Sequence, residues 1–211
     1  MRGDLYGRFA GICGDCGWTG RTEDVFDLLW DAYSQPHRRY HDVDHLDHVL
    51  REVDRLTPDG AGPADRTAVV LAAFFHDVVH DPRRADNERR SADLARRVLE
   101  QRGVAPATVA VVVAAILATD PAHDGERDLV ARWLGDADLA VLAGPAPDYD
   151  RYVARVRAEY AHVPDAQWTS GRAAVLRQLL DRARLFALPG QEQAERAARG
   201  NLRRELAALT A

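Results

Sequence analysis

The 211-residue chain contains no lysine, and all 28 of its basic residues are arginine. With alanine abundant as well, that bias reads first as genome composition rather than as function. Acidic residues number 33, which sets the formal net charge at −5. A chain of this sign is a poor general binder of nucleic acid or of an anionic membrane, although a local arginine can still hold a phosphate. Long apolar runs are also missing. The longest, VAVVVAAILA at 109–118, is too short to span a bilayer. The opening residues, MRGDLYGRFAGICGDCGW, lack the uninterrupted apolar core of a signal peptide, so a cytoplasmic location is the expectation. Cysteine is scarce. Cys13 and Cys16 form a lone C-x-x-C, half of a structural zinc site, and a chance or weakly redox-active pair is the better reading.

Strand-like alternation is rare, and no linker-like tract divides the chain. Apolar residues instead recur at helical spacing, predicting helices over 23–34, 43–56, 64–79, 87–101, 107–118, 126–142, 148–162, 166–185 and 191–209. The 64–79 segment is apolar nearly all round and marks a buried central helix. The expected fold class is all-α, a single-domain helical bundle over 22–211 preceded by an N-terminal segment, 1–21.

What the chain has in excess is locally concentrated histidine and aspartate. Residues 41–48 read HDVDHLDH, and FFHDVVHD follows at 74–81. His41, His45 and His48 share one helical side, with His45 at the edge of the apolar stripe and His48 farther out. His45 should be half-buried and His48 solvated. His76-Asp77 ends the most apolar helix of the chain, where an unpaired carboxylate would cost several kcal/mol and would face the negative end of the helix dipole. Asp77 needs a positive partner. An arginine could serve, but with histidines beside it a divalent metal ion is the more economical answer. A further ligand could come from GDADLAVL at 135–142, where Asp138 shares a row with Leu134 and Leu142 and faces in, while Asp136 lies with Arg132.

The ordered series His45, His76-Asp77 and Asp138 resembles the H…HD…D signature of the HD superfamily of metal-dependent phosphohydrolases. Y-H-D-V-D-H-L also resembles the Y-H-N-x-x-H-A of cyclic-nucleotide phosphodiesterases, and H-D-V-V-H their H-D-x-x-H. Closer likeness is to a branch of predicted HD phosphohydrolases, carried by R-Y-H at 39–41, F-H-D at 75–77, N-E-R-R-S-A at 87–92, A-T-D-P-A-H at 118–123, D-A-D-L-A at 136–140, Y-D-R-Y at 149–152, R-A-E-Y at 157–160, G-R at 171–172 and A-R-G-N-L at 198–202. The resemblance implies an HD-type helical fold binding one or two divalent ions, of Mn, Mg, Fe, Co, Ni or Zn. It implies that His45, His76, Asp77 and Asp138 hold the first ion, and that His41 is the proton donor. Position 42 departs from the phosphodiesterases, being Asp where they have Asn. Two-metal HD families add two histidines after the HD pair, and here only His123 lies at a suitable remove, leaving His80 and Glu88 as substitutes for a second ion or as outer support.

Such a site implies hydrolysis of a phosphate ester, with a nucleotide or another small phosphorylated molecule as partner. Asp77 has a catalytic role beside its ligand role, and Arg39 and Arg157 are the candidate donors to the phosphate oxygens. Two other readings stay open: an HD-type di-iron oxygenase, and a non-catalytic module that senses a nucleotide. Glu195, Arg199 and Asn201 are expected to lock the last helix in place through polar contacts.

Overall fold

The computed structural model describes residues 1–123 and 125–210. Among them there are ten α-helices, one 3-10 turn and no strand. None of the helices is long and apolar enough to cross a membrane. The chain divides into two compact units, Met1–Ala137 and Asp138–Ala211.

The first unit is built round α4 (Pro63–Phe75), in which every residue from Thr67 to Phe75 is buried. It packs against α1 (Arg2–Asp15), α3 (Val43–Leu56), α5 (Asn87–Gln101) and α6 (Pro106–Leu117). The remaining helices are α2 (Glu23–Tyr33) and α7 (Leu129–Asp138), whose final residue opens the second unit. Proline at the first turn starts both α4 and α6, where its missing N–H is not needed. The central helix stands where the apolar pattern puts it, but it ends at Phe75 rather than at 79.

Within the expected N-terminal segment 1–21, residues 2–15 form α1. Its Leu5, Phe9 and Cys13 recur every four residues and are buried, and the Phe9 ring meets Phe26, Phe74 and Trp18. Glycines at 3, 7, 11 and 14 hide this helix from propensity, each costing about 1 kcal/mol against alanine. A Cβ at any of the four would meet nothing within 4 Å.

The second unit joins the 3-10 turn Leu139–Ala143, α8 (Ala146–Glu159), α9 (Asp165–Asp181) and α10 (Glu192–Thr210). Its core gathers Leu142, Tyr149, Leu176, Leu185, Phe186, Ala198 and Leu202. Separate polar contacts, buried or half-buried, join its elements. Arg172 meets Glu205 with two bonds of 2.7 and 3.0 Å, and the Tyr149 hydroxyl donates to the same carboxylate. Asn201 donates to the carbonyls of Leu142 and Gly144, each at 2.9 Å. Glu195 accepts from the N–H groups of Leu185 and Phe186 while pairing with Arg199 at 2.6 Å. The last helix is therefore tied down by the three side chains expected to do so.

Both cysteines are free thiols. Burial, with the neighbouring Cys16 thiol adding to it, pushes Cys13 up to about 12, and burial raises Cys16 too. Unfolded thiols ionise near ~8.5, so above about pH 9 the unfolded chain releases protons that the folded chain keeps, and stability must fall as pH rises towards 12. With no lysine titrating in that range, Cys13→Ala should flatten the decline of Tm with pH relative to wild type. An unchanged slope would mean that the Cys13 thiol ionises as freely when folded as when unfolded.

Candidate metal centre

Because α4 stops at Phe75, His76 and Asp77 lie just beyond its end, and the backbone from 77 to 81 has no helix to satisfy it. Side chains from two directions do so. The Asp77 N–H donates to the Tyr33 hydroxyl at 3.2 Å, and the Asp77 and Val78 carbonyls accept from the Arg38 guanidinium at 2.7 and 3.0 Å. On the opposite side, Ser91 both accepts from the Val79 N–H and donates to its carbonyl, at 3.1 and 3.2 Å. Asn87, one turn earlier on α5, makes the same pair of bonds to Asp81 at 3.1 and 3.0 Å. Residues four apart on one helix face thus bond to alternate residues of the irregular segment that follows α4. Each of these groups left buried and unmatched would cost about 1–3 kcal/mol.

His45 arrives on α3. Asp42 caps that helix, its carboxylate accepting from the N–H groups of Asp44 and His45 at 3.0 and 3.4 Å. The aspartate that departs from the phosphodiesterase pattern is therefore the helix cap. Leu46, Val49, Leu50 and Val53 bury the same face, and His45 goes with them at 3% exposure, deeper than the half-burial its place at the stripe edge suggests. His48 is half-buried rather than solvated.

Three atoms meet where these segments converge. His45 Nε2 lies 3.2 Å from His76 Nε2, and Asp77 Oδ2 lies 3.4 Å from the first and 3.3 Å from the second. His76 Nδ1 stands 2.8 Å from the Ala73 carbonyl, which can only accept, so Nδ1 carries the hydrogen and Nε2 of the neutral ring is a bare acceptor. A hydrogen on His45 Nε2 serves one contact and leaves His76 Nε2 and Asp77 Oδ2 facing each other as acceptors. When no ion is bound, burial pulls the Asp77 carboxyl upward, but the charge of a protonated His76 and hydrogen bonds from His45 and His76, with His41 farther off, hold it well below the usual carboxylate range. The arrangement calls for positive charge at its centre.

Around this group, His41 is half-buried. Its ring stacks on His80 at 4.1 Å and meets the rings of Tyr40 and His45 at 4.8 and 5.5 Å. His80 is buried, and its carbonyl is bonded to His37 at 2.9 Å. Glu88 is half-buried, and burial followed by the Asp77 and Asp120 carboxylates pushes it upward. Asp120 lies inside the A-T-D-P-A-H stretch, with no motif to mark it. His123 sits in the turn after α6, its N–H donating to the Asp120 carbonyl at 2.9 Å. Arg39 is exposed. Asp138 closes α7 and is half-buried, whereas Asp136, which pattern places with Arg132, is buried at 2% exposure. Arg157 directs its guanidinium within the second unit, to the carbonyls of Tyr160 and Val163 and to Asp165, over the ring of Trp168. The residue that spacing overlooked is Arg38, one place before the arginine it favoured.

No protein-family model and no curated protein matches the sequence. Among solved structures, the chain is similar to the phosphodiesterase domain of the RhoPDE fusion protein from the choanoflagellate Salpingoeca rosetta. The TM-score is 0.60 at 15% identity, over 99% of this chain and 90% of that one. The likeness establishes the fold, an all-helical architecture of the phosphodiesterase type.

The geometry fits a metal ion. Neighbouring ligands of an ion held at ~2.0–2.1 Å lie about 3.0–3.4 Å apart, depending on whether the geometry is octahedral or tetrahedral, and the three observed separations fall inside that interval. Two imidazole nitrogens and one carboxylate oxygen form a mixed donor set of the kind that binds Zn, Mn, Fe, Co or Ni. Mn²⁺ or Co²⁺ at a hundredfold excess over its dissociation constant should stabilise the protein by about 2.7 kcal/mol, read as a rise in Tm. Asp77→Asn should remove that rise. If the variant kept it, the ion would be binding elsewhere.

Proposed function

We propose that the chain is a metal-dependent phosphohydrolase that cleaves a phosphate ester of a nucleotide or another small phosphorylated metabolite. One observation carries the reading: three atoms able to ligate a metal, His45 Nε2, His76 Nε2 and Asp77 Oδ2, converge at 3.2–3.4 Å. The fold shared with a phosphodiesterase domain supports it, as do the motifs that resemble HD phosphohydrolases. Asp138 is proposed as the fourth ligand on that resemblance. His80, Glu88 and His123 are the residues proposed for a second ion or for outer support.

A bound divalent ion supplies Lewis acidity, which makes water an effective nucleophile near neutral pH. The chain's own residues do the rest. Asp77 stays ionised, so it can hold an ion and accept a hydrogen bond from the attacking water. His41, beside that group, is proposed to donate a proton from its imidazolium to the departing alkoxide oxygen, a transfer for which histidine is chemically suited. Arg39 is the arginine proposed for the ester's non-bridging oxygens. Arg157 would have to give up its bonds to Tyr160, Val163 and Asp165 to share that task.

Purified protein assayed against phosphomonoesters and phosphodiesters with Mn²⁺, Mg²⁺, Co²⁺ or Ni²⁺ should hydrolyse at least one class in a metal-dependent way. His41→Ala should retain bound metal while turnover falls by about 10²–10⁴-fold, the usual worth of a positioned acid. Loss of the metal in His41→Ala would reverse the division of labour between His41 and His45. Iron as the resident metal, with an oxygen-dependent spectrum and no hydrolysis, would replace this reading with the oxygenase one.

A further inference from the structure

Hydrolysis of the proposed kind needs a proton donor held at a fixed offset from the ion's ligands, yet His41 and Asp77 come from segments 36 residues apart in the chain. The His41 ring stacks on His80 and His37 bonds to the His80 carbonyl, but one side chain joins the His41 and Asp77 backbones directly. Arg38 is only 4% exposed. Its Nη1 donates to the His41 carbonyl at 2.9 Å and to the Asp77 carbonyl at 2.7 Å, and its Nη2 donates to the Val78 carbonyl at 3.0 Å. Nε donates to Gln35 Oε1 at 3.3 Å, and the guanidinium lies 5.1 Å from the centre of the Tyr33 ring. The Tyr33 hydroxyl in turn accepts the Asp77 N–H. A planar fork with donors fixed in direction sets a spacing between two backbones, which a freely rotating ammonium does not.

We infer that Arg38 is a positioning residue: by strapping the His41 carbonyl to the carbonyls of Asp77 and Val78, it sets where the His41 imidazole stands relative to the metal ligands. The inference rests on the phosphohydrolase reading. The 77–81 segment has braces of its own in Tyr33, Ser91 and Asn87. Removing the strap therefore disturbs the His41 end more than the ligand end. Arg38 acts through His41 and touches no substrate.

The test compares Arg38→Met and Arg38→Lys with wild type on two esters, an alkyl phosphate, whose leaving group needs a proton, and a p-nitrophenyl phosphate, whose leaving group does not. Mn²⁺ binding and KM should stay near wild type. Turnover of the alkyl ester by Arg38→Met should fall about 100-fold, the cost of a misplacement of roughly 1 Å. Turnover of the p-nitrophenyl ester should fall less than about tenfold, because protonation of its leaving group contributes little. Arg38→Lys should recover part of the loss, and if Arg38→Met fails to fold, the lysine variant carries the same comparison of esters. In a His41→Ala background, Arg38→Met should add no further loss on the alkyl ester. Equal losses on both esters, losses that add to those of His41→Ala, or no loss at all would overturn the role of Arg38 alone. A wild-type protein inert towards both esters, and towards the wider ester panel, would overturn the hydrolytic reading and the strap's purpose with it.

Discussion

Two imidazole nitrogens and a carboxylate oxygen, all atoms of the kind that ligate metals, face one another across 3.2–3.4 Å in the interior of the first unit. The buried carboxylate needs something positive beside it, since burying it uncompensated costs several kcal/mol. A proton can relieve one of the three contacts at a time. A divalent ion satisfies all three at once, and the separations match those of side-by-side ligands. The hydrogen bond from His76 Nδ1 to the Ala73 carbonyl settles which nitrogen is turned inward, so the orientation of the group is built into the end of α4.

The end of α4 carries two of the three residues of the group, with His76 still in helical backbone conformation. Were α4 to continue beyond Phe75, His76 and Asp77 would lie on different sides of a helix, about 100° apart. Stopping it leaves the peptide groups of 77–81 without helical partners, and α5 on one side and Arg38 with Tyr33 on the other supply the replacements. The polar residues round the centre are thus of two kinds. His45, His76 and Asp77 point inward at one another, while Arg38, Ser91 and Asn87 hold the backbone that makes them do so.

Much of this was legible in the chain, and the gaps have physical causes. Helical spacing placed α5 at its observed bounds and α3 from about Val43, and the all-apolar character of α4 marked it as central. The continuing pattern Phe74-Phe75-His76-Asp77-Val78-Val79 gave no local sign of a stop, because the partners that end the helix come from residues 33, 38, 87 and 91. Glycines concealed α1 although its Leu5, Phe9 and Cys13 carry the helical period. The histidine and aspartate positions were legible as chemistry, and His45, His76 and Asp77 do come together. Arg38 was not, since one arginine among 28 carries no signal until its burial is known. In the second unit, the stretches Y-D-R-Y, G-R and A-R-G-N-L supply Tyr149, Arg172 and Asn201 to buried polar contacts, and Arg199 to a half-buried pair with Glu195.

The most direct test is where an ion sits. Crystals grown with Mn²⁺ should show an anomalous scattering peak within about 2.0–2.3 Å of His45 Nε2, His76 Nε2 and one oxygen of Asp77, a normal range for nitrogen and oxygen ligands. A peak at any other place, or those three side chains joined only by hydrogen bonds at saturating Mn²⁺, would contradict the account.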